Sequence, residues 1–352
     1  MSTINQNRKK IDAIDKNIVK LLHQRGAIAK EIGKQKASKG EDVYNPLRER
    51  EILSKMSGGK KVLKTEDLSA IYTEIISACR NIQNTTKIAF LGPWATWTHQ
   101  AALKKFGSSG LFIPCIDVKS VLEEIDSGRA EFGVVPVENS NEGSVNVTLD
   151  LLVDMNLTVC GEILLRIDQS LLVKDAKNQI LRIYSHPQGL AQCRNWLNKN
   201  YPDVDLIPAA STAEAAKKAA KESYAGAIAS EAAAKIYRLY VLASAIQDGK
   251  QNFTRFFVVG TKKTNPTGND KTSLVFMIKD RVGALHDIMG VFDKNKVNMT
   301  KIESRPTKKK VWEYMFFVDI EGHVADKKVK TTIEELNQLC AFVKVLGSYT
   351  KA

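Results

Sequence analysis

Ile11, Ile14, Ile18, Leu21, Ile28 and Ile32 recur at heptad spacing, a pattern that predicts one long helix ending near Gly40. One seam position carries a charge instead: Arg25. A guanidinium taken out of water costs several kcal/mol unless a carboxylate or phosphate meets it. No Asp or Glu occupies a seam position, so Arg25 either finds an anion elsewhere or stays at a solvated edge with its stem over apolar surface. Lys36 lies on the same helix face about 16 Å farther along the axis, close enough for two long cationic side chains to converge on one small dianion. Arg8 is on another face and about 25 Å from Arg25 along the axis. If it shares that site, it comes from a partner chain.

Asn45 is placed to cap a short helix with Pro46 at its first position, ended by Ser57-Gly58-Gly59. Thr65 is expected to cap a third helix, Glu66 to Ile82, with Leu68, Ile71, Ile75 and Ile76 on one side. A three-helix segment with so long a first helix cannot bury its own seam, and an intertwined dimer is the simplest solution.

From Lys87 the period changes. Short β-rich runs, Ile88 to Leu91, Phe112 to Ile116, Gly133 to Val137, Val159 to Leu164, Ile180 to Tyr184, Leu206 to Pro208 and Ala227 to Ala229, alternate with helical stretches and imply an α/β layer fold. An alanine-rich helix is expected from about Ala213 to Leu239, opened by a capping box of Ser211 and Glu214. Thr261 to Asp270, with Pro266 and Gly268, reads as a linker. Beyond it, strand 272–279, helix 284–294, strands 297–304 and 311–320, helix 327–339 and strand 341–347 form a βαββαβ unit. The domains expected are therefore 1–85, 86–262 and 271–352.

Composition adds bounds. The 352 residues suffice for two or three domains. The net charge of +13 raises the question of nucleic acid, and its distribution answers it. Residues 1–86 carry 17 Lys and Arg against 10 Asp and Glu, residues 87–262 carry 19 against 18, and residues 263–352 carry 16 against 11. The helical lysines alternate with acids as on a solvated face, and the compact cluster Lys308-Lys309-Lys310 reads as a hairpin tip. No apolar run approaches the roughly 18 residues of a membrane span, and Met1 to Lys10 lacks a hydrophobic signal core, so a cytoplasmic protein is expected. Cys79, Cys115, Cys160, Cys193 and Cys340 are scattered without CxxC spacing, against a disulfide framework or a zinc site.

The chemistry of the middle segment collects where strands run into helices. Gly92 to Thr98, Glu138 to Ser144 and Ser185 to Gly189 each follow a strand, and in open α/β sheets the carboxyl ends of strands form the ligand crevice. Free N–H groups at helix starts suit an anion, and nearby hydroxyls and amides can orient a carboxylate. Thr96, Asn139, Ser140 and Ser185 have a plainer reading as turn formers or N-caps, and His186 before Pro187 as a turn shaper. Three polar loops at one end of a sheet favour a site. No P-loop, GxGxxG, HExxH or GxSxG is present.

These loops carry a resemblance. Gly133 to Ser144 (GVVPVENSNEGS), Ser185 to Trp196 (SHPQGLAQCRNW) and Thr254-Arg255-Phe256 resemble the signature segments of prephenate dehydratases. The N-terminal helices are similar to AroQ-type chorismate mutases. The C-terminal unit resembles ACT regulatory domains at Gly283-Ala284-Leu285 and Glu303-Ser304-Arg305-Pro306. Together they are similar to the bifunctional P-proteins that make phenylpyruvate. The resemblance implies a multidomain fold: an all-α three-helix mutase domain in an intertwined dimer, a two-lobed α/β dehydratase domain like periplasmic binding proteins, and an α+β ACT domain.

It also implies roles. Arg25, Arg48 and a partner's Arg8 would clamp the chorismate carboxylates, Lys36 and Gln83 would bind the ether oxygen, and Glu49 would hold the ring hydroxyl. Asn45 stands where Asp is frequent and Cys79 where Ser occurs, both near substrate. Thr254 would help hydroxide leave prephenate, supported by Thr96, Asn139, Ser185 and Gln188, with Glu138, Ser140, His186 and Arg255 nearby; Arg255 equally fits a structural ion pair. Ala95 replaces a more usual glycine and Trp97 a more usual Phe. Gly283, Ala284, Leu285, Asn298, Glu303, Ser304 and Arg305 would bind phenylalanine at a dimer interface; His286 departs from the commoner residue there. No cofactor, metal, nucleic acid or membrane is implied. Two other classes fit parts of the pattern: a metabolite-sensing DNA-binding regulator with an ACT effector domain, opposed by the lack of a short helix-turn-helix pair, and a solute-binding protein, opposed by the lack of a signal peptide.

Overall fold

The computed structural model describes residues 3–55, 62–249, 251–279, 281–306 and 314–352. The chain divides into two compact units, residues 1–88 with 102–112, and residues 89–101 with 113–352.

In the first unit α1 (Ile4–Lys39) opens on a capping box between Thr3 and Gln6 and stops at Gly40, whose φ of +66° is the left-handed C-cap that glycine adopts most readily. Asn45 caps α2 (Pro46–Ser54) by accepting from the Arg48 N–H, as expected. The expected stop at Ser57-Gly58-Gly59 lies outside the described residues. α3 (Thr65–Gln83) starts one residue earlier than expected: Lys64 is the N-cap and no side chain caps it. Its buried residues are Ile76, Ser77, Cys79 and Arg80, whereas Ile71 is exposed. α1 packs on α3 through small residues, since a methyl group on Gly33 would stand 2.8 Å from Gln83. The seam remains uncovered: Ile11, Ile14, Ile18, Leu21, Ile28 and Ile32 are 44% to 63% exposed, far from the core state of such side chains.

The next elements run β1 (Lys87–Leu91), α4 (Trp97–Phe106), β2 (Leu111–Cys115), α5 (Val118–Asp126), β3 (Phe132–Asn139), β4 (Gly143–Ser144), α6 (Asn146–Asp154) and β5 (Thr158–Arg166). A second group follows: β6 (Ser170–Val173), β7 (Arg182–Ser185), α7 (Pro187–Gln192), α8 (Arg194–Asn200), β8 (Asp205–Pro208), α9 (Thr212–Ala219), β9 (Ala225–Ala229), α10 (Glu231–Tyr237) and β10 (Tyr240–Ala243). β11 (Phe253–Gly260) then returns to the first group. One sheet has the order β2-β1-β3-β11-β5, with β4 on β3, and the other β10-β6-β9-β7-β8, which gives two lobes. The long alanine-rich helix is instead α9, β9 and α10. Alanine favours helices but also fits where layers pack closely, and here Ala213, Ala215, Ala216, Ala219, Ala225, Ala227, Ala229 and Ala233 form one core in which β9 is fully buried. Ser211 does cap α9, while Glu214 reaches back to the Ala210 N–H.

The last group is β12 (Asp270–Met277), α11 (Ala284–Lys294), β13 (Met299–Pro306), β14 (Tyr314–Glu321), α12 (Lys327–Leu339) and β15 (Phe342–Thr350), the expected βαββαβ unit with antiparallel order β13-β14-β12-β15. The expected hairpin tip at Lys308-Lys309-Lys310 lies outside the described residues. Thr261 to Asp270 is not a loose tether: Thr264 donates to the Ser348 carbonyl at 2.5 Å, and buried Asp270 accepts from the Thr267 and Gly268 N–H groups. Val275, Phe317, Leu346 and Tyr349 join Val135, Val137, Leu152, Val159 and Phe257 in one apolar core. Lys344 crosses to the C-terminal end of α6 and donates to the carbonyls of Leu152, Val153 and Met155 at 2.7–3.0 Å.

The closest approach of these layers is at Gly347, where a methyl group would collide with the Val159 backbone. Backbone cannot yield as a side-chain tip can, so Gly347→Ala should lose about 3 kcal/mol or more of stability, read as a lowered melting temperature in calorimetry.

Candidate functional site

In the helical unit the expected residues divide among three elements. Arg25 Nη1 lies 3.5 Å from the Ile75 carbonyl on α3, and Lys36 Nζ donates to the carbonyls of Asp42 and Val43 at 2.8 and 3.1 Å. Gln83 lies against Gly33, one turn before Lys36; its Nε2 donates to the Cys79 carbonyl at 3.2 Å, and its buried Oε1 has no partner among the described residues. Arg48 is exposed and pairs with Glu51 at 2.9 Å. Arg8 is exposed, and Cys79 is buried beneath the surface.

Glu49 meets Arg80 at 2.7 Å, an arginine that sequence reasoning missed. Arg80 is 4% exposed, donates to the Phe106 carbonyl at 2.5 Å, and lies over the rings of Tyr44 and Phe106 at 5.3 and 5.6 Å. Burial lifts the Glu49 carboxyl above its ordinary range, against the pull of Arg80, Lys105 and Lys36. The signal was available, because Arg80 stands on the apolar side of α3 as Arg25 does on α1.

In the second unit the three polar loops converge on one cavity of about 340 Å³, the size of a small-metabolite site. Thr96, Asn139, His186, Gln188 and Thr254 line it as expected, with Trp97, Ser144, Gln169, Gln192, Ser211 and Phe256. The loops differ in what they feed: Gly92 to Thr98 leads into α4, Ser185 to Gly189 into α7, and the middle loop first makes β4. Among the described residues no Lys or Arg lines the cavity. Hydroxyls, side-chain amides and helix-start N–H groups do, the last at Ser211 and Thr212 where α9 begins. Thr96 also serves its helix: its Oγ1 donates to the Leu91 carbonyl at 2.9 Å and accepts from the His99 N–H at 3.3 Å. Ala95 holds φ +70°, left-handed backbone that explains why glycine is usual there and that alanine adopts at about 1–2 kcal/mol. His186 caps α7 through Nδ1, 3.3 Å from the Gln188 N–H.

Other expected residues stand outside the lining. Ser185 is fully buried behind the wall; its Oγ donates to the Ile228 carbonyl at 2.8 Å, and Gly189 lies so close that a methyl group there would be 2.5 Å from that oxygen. Ser140 bonds the Phe253 N–H at 3.0 Å, and Glu138 faces Arg255 and Lys301 at 3.6 and 3.0 Å.

Strand alternation explains the Thr254-Arg255-Phe256 motif. On β11, Thr254 and Phe256 face the cavity, and Arg255 faces the opposite way, into the βαββαβ unit. Arg255 is buried, with Glu162 at 2.7 Å, Asp319 at 2.5 Å and the Tyr349 hydroxyl at 2.8 Å. Lys271 meets Glu162 at 3.0 Å, and Ser273 bonds Asp319. These partners push Arg255 further toward its charged form although burial opposes it. Thr254 pairs across the ladder with Asn139, whose Nδ2 donates to Thr254 Oγ1 at 2.9 Å.

The same alternation divides β13. Lys301, Glu303 and Arg305 turn to the lobe that carries the cavity: Lys301 and Glu303 both bond Ser144, and Arg305 meets Asp150 at 2.7 Å and the Asn146 carbonyl at 2.8 Å. Ile302 and Ser304 are exposed, as are Leu285 and Asn298, while Ala284 is buried behind Gly283, the N-cap of α11. The structure thus separates Glu303 and Arg305 from the other expected effector residues.

Residues 7–84 match the family model for chorismate mutase type II, residues 88–264 that for prephenate dehydratase, and residues 272–338 that for the ACT domain. A bifunctional chorismate mutase/prephenate dehydratase of Aquifex aeolicus is 47% identical over 358 aligned residues, covering 100% of this chain and 99% of that one. The chain belongs to this family. The Escherichia coli K12 enzyme of the same name is 32% identical, covering 97% of this chain and 95% of its own. The solved structure of an Arthrobacter aurescens prephenate dehydratase in complex with L-Phe is 34% identical, with a TM-score of 0.71, covering 76% of this chain and 90% of that one. Among the described residues no helix is long and apolar enough to cross a membrane.

Arg255→Ala would leave Glu162 and Asp319 buried with part of their compensation gone. The expected loss is about 3–5 kcal/mol, measured by thermal or denaturant unfolding.

Proposed function

We propose that this chain is a bifunctional enzyme of phenylalanine biosynthesis: residues 1–85 rearrange chorismate to prephenate, residues 86–262 convert prephenate to phenylpyruvate, and residues 271–352 bind phenylalanine as feedback effector. The arrangement that best supports the reading is Thr254 held by Asn139 in a cavity built from three strand-end loops.

The first reaction is a pericyclic shift in which an ether bond breaks as a carbon–carbon bond forms. It needs a compact conformer and charge stabilisation at the ether oxygen, and no proton transfer. Arg25 and Arg48 hold the carboxylates, Lys36 and Gln83 address the ether oxygen, and Glu49, its Oε1 already on Arg80, meets the ring hydroxyl. Arg8 completes the site from a second copy, and the uncovered seam supports an intertwined dimer. Such a dimer would act in the cytoplasm without cofactor.

In the second reaction the ring hydroxyl and carbon dioxide leave together as the ring becomes aromatic. Thr254 Oγ1 accepts from Asn139 and so points its own hydrogen at the departing oxygen. Gln188, His186 and helix-start N–H groups orient the dianion. The exposed residues Leu285, Asn298 and Ser304 support an effector site on the outer side of β13, and the Arthrobacter complex supports phenylalanine as its occupant.

Supplying chorismate and following its loss and phenylpyruvate appearance separately tests both halves. Arg25→Ala should lower the first activity about 100-fold or more and leave conversion of added prephenate intact; Thr254→Ala should do the reverse. Loss of both activities in either folded variant overturns the two-site reading. Added phenylalanine should slow only the second step, and its failure to do so would remove the effector assignment.

A further inference from the structure

Behind the cavity wall runs a chain of amides whose direction is anchored at one end. The Asn141 backbone N–H can only donate, and it donates to Asn139 Oδ1 at 3.0 Å. That bond assigns the Asn139 amide: its Nδ2 donates to Thr254 Oγ1 at 2.9 Å and to Asn252 Oδ1 at 3.1 Å. Asn252 then donates through Nδ2 to Gln192 Oε1 at 3.0 Å, an oxygen that also receives Gln169 Nε2 at 3.3 Å. Reversing any member would set two donors or two acceptors face to face, at about 1–3 kcal/mol for each buried group left unsatisfied. The polarity has two ends in the cavity. Thr254 must accept, so its hydrogen is free to be given; Gln192 must accept through Oε1, so its Nε2 is free to donate.

We propose that Asn252 is a positioning residue for the dehydratase reaction, carrying hydrogen-bond polarity from Asn139 to Gln192 so that the Thr254 hydroxyl and the Gln192 amide both present donors to the cavity. Asn252 is 2% exposed and does not line that cavity; it borders a separate pocket of about 130 Å³ with Asn141, Gln192, Gln247 and Asp248. The inference rests on the reading of Thr254 as donor.

Asn252→Asp tests it with little change of shape. The introduced carboxylate, when ionised, still accepts from Asn139 but cannot donate to Gln192, which turns its Nε2 inward and leaves the cavity short of one donor. The expected fall in kcat at pH 8 is about 100-fold, the scale of one preorganised donor, with a smaller change in KM. Once protonated, the same group donates through its hydroxyl and restores the direction. Activity relative to wild type should therefore recover as pH falls. The introduced acid is buried and shares its pocket with Asp248, whereas Asp168, which holds Gln247, is balanced by Arg166 at 3.0 Å; burial and Asp248 therefore raise its pKa, and recovery begins at mildly acidic pH. Glu142 and His186 face the cavity in both proteins, and dividing by the wild-type profile removes their titration.

Retention of the second unit's melting transition in calorimetry reports folding, because mutase activity reads the other unit. An unchanged kcat at pH 8, or a loss that is the same at every pH, overturns the proposal. If Asn252→Asp fails to fold, Gln192→Glu decides: its carboxylate keeps both incoming bonds but cannot donate, and wild-type activity at pH 8 overturns the proposal. Thr254→Val is assayed in parallel; if it stays active, the donor reading of Thr254 fails, independently of the relay.

Discussion

A guanidinium buried between two carboxylates sets the geometry of the second unit. Arg255 cannot leave Glu162 and Asp319 without stranding charge in a dry core, and it shares a strand with Thr254, which lines the cavity. Because neighbouring side chains of a strand point to opposite faces, holding Arg255 on one side holds Thr254 on the other. The strand cannot roll, and a register slip of one residue would place the arginine in the cavity and the threonine in the ion cluster. Lys271 balances the acids, and Tyr349 with Ser273 fills the remaining hydrogen-bond positions.

The two sites solve opposite electrostatic problems. The site proposed in the helical unit draws on the cations Arg25, Lys36 and Arg48, for a substrate that keeps both carboxylates from start to finish. The cavity presents hydroxyls, side-chain amides and helix-start N–H groups beside Glu142 and apolar side chains, with no Lys or Arg among the described residues that line it. This fits a reaction in which one carboxylate disappears as carbon dioxide. A guanidinium clamped on that carboxylate would stabilise charge that is lost in the transition state, and so would raise the barrier. Neutral amides and hydroxyls orient the same group with less ground-state attraction.

Much of this was legible along the chain. The heptad seam, the Gly40 stop, the Asn45 cap and the positions of both helices of the βαββαβ unit follow from local rules, and the structure carries each of them. The polar loops could be read as one site because strand ends converge. What failed were features settled by tertiary packing. Ala227 to Ala229 is expected both as a strand and inside one alanine-rich helix; packing keeps the strand, as central buried β9, and breaks the helix into α9 and α10, while β6, β10 and β11 were passed over although Phe256 to Val259 is continuously apolar. Ser185 carried a polar signal but lies behind the wall. Gln192 and Asn252 were passed over for the opposite reason: an amide on a short helix and one before a strand look like surface, and their hydrogen bond joins residues far apart in sequence.

Gly347 against Val159 places the β15 backbone against β5 with no side chain between them, and the core beneath draws on both sides of the Thr261–Asp270 segment. That segment is thus a boundary in sequence but not in free energy. Cutting there would expose Val275, Phe317, Leu346 and Tyr349 on one fragment and Val135, Val159 and Phe257 on the other. Three family modules therefore form two compact units, and the C-terminal module shares its core with the lobe it packs against.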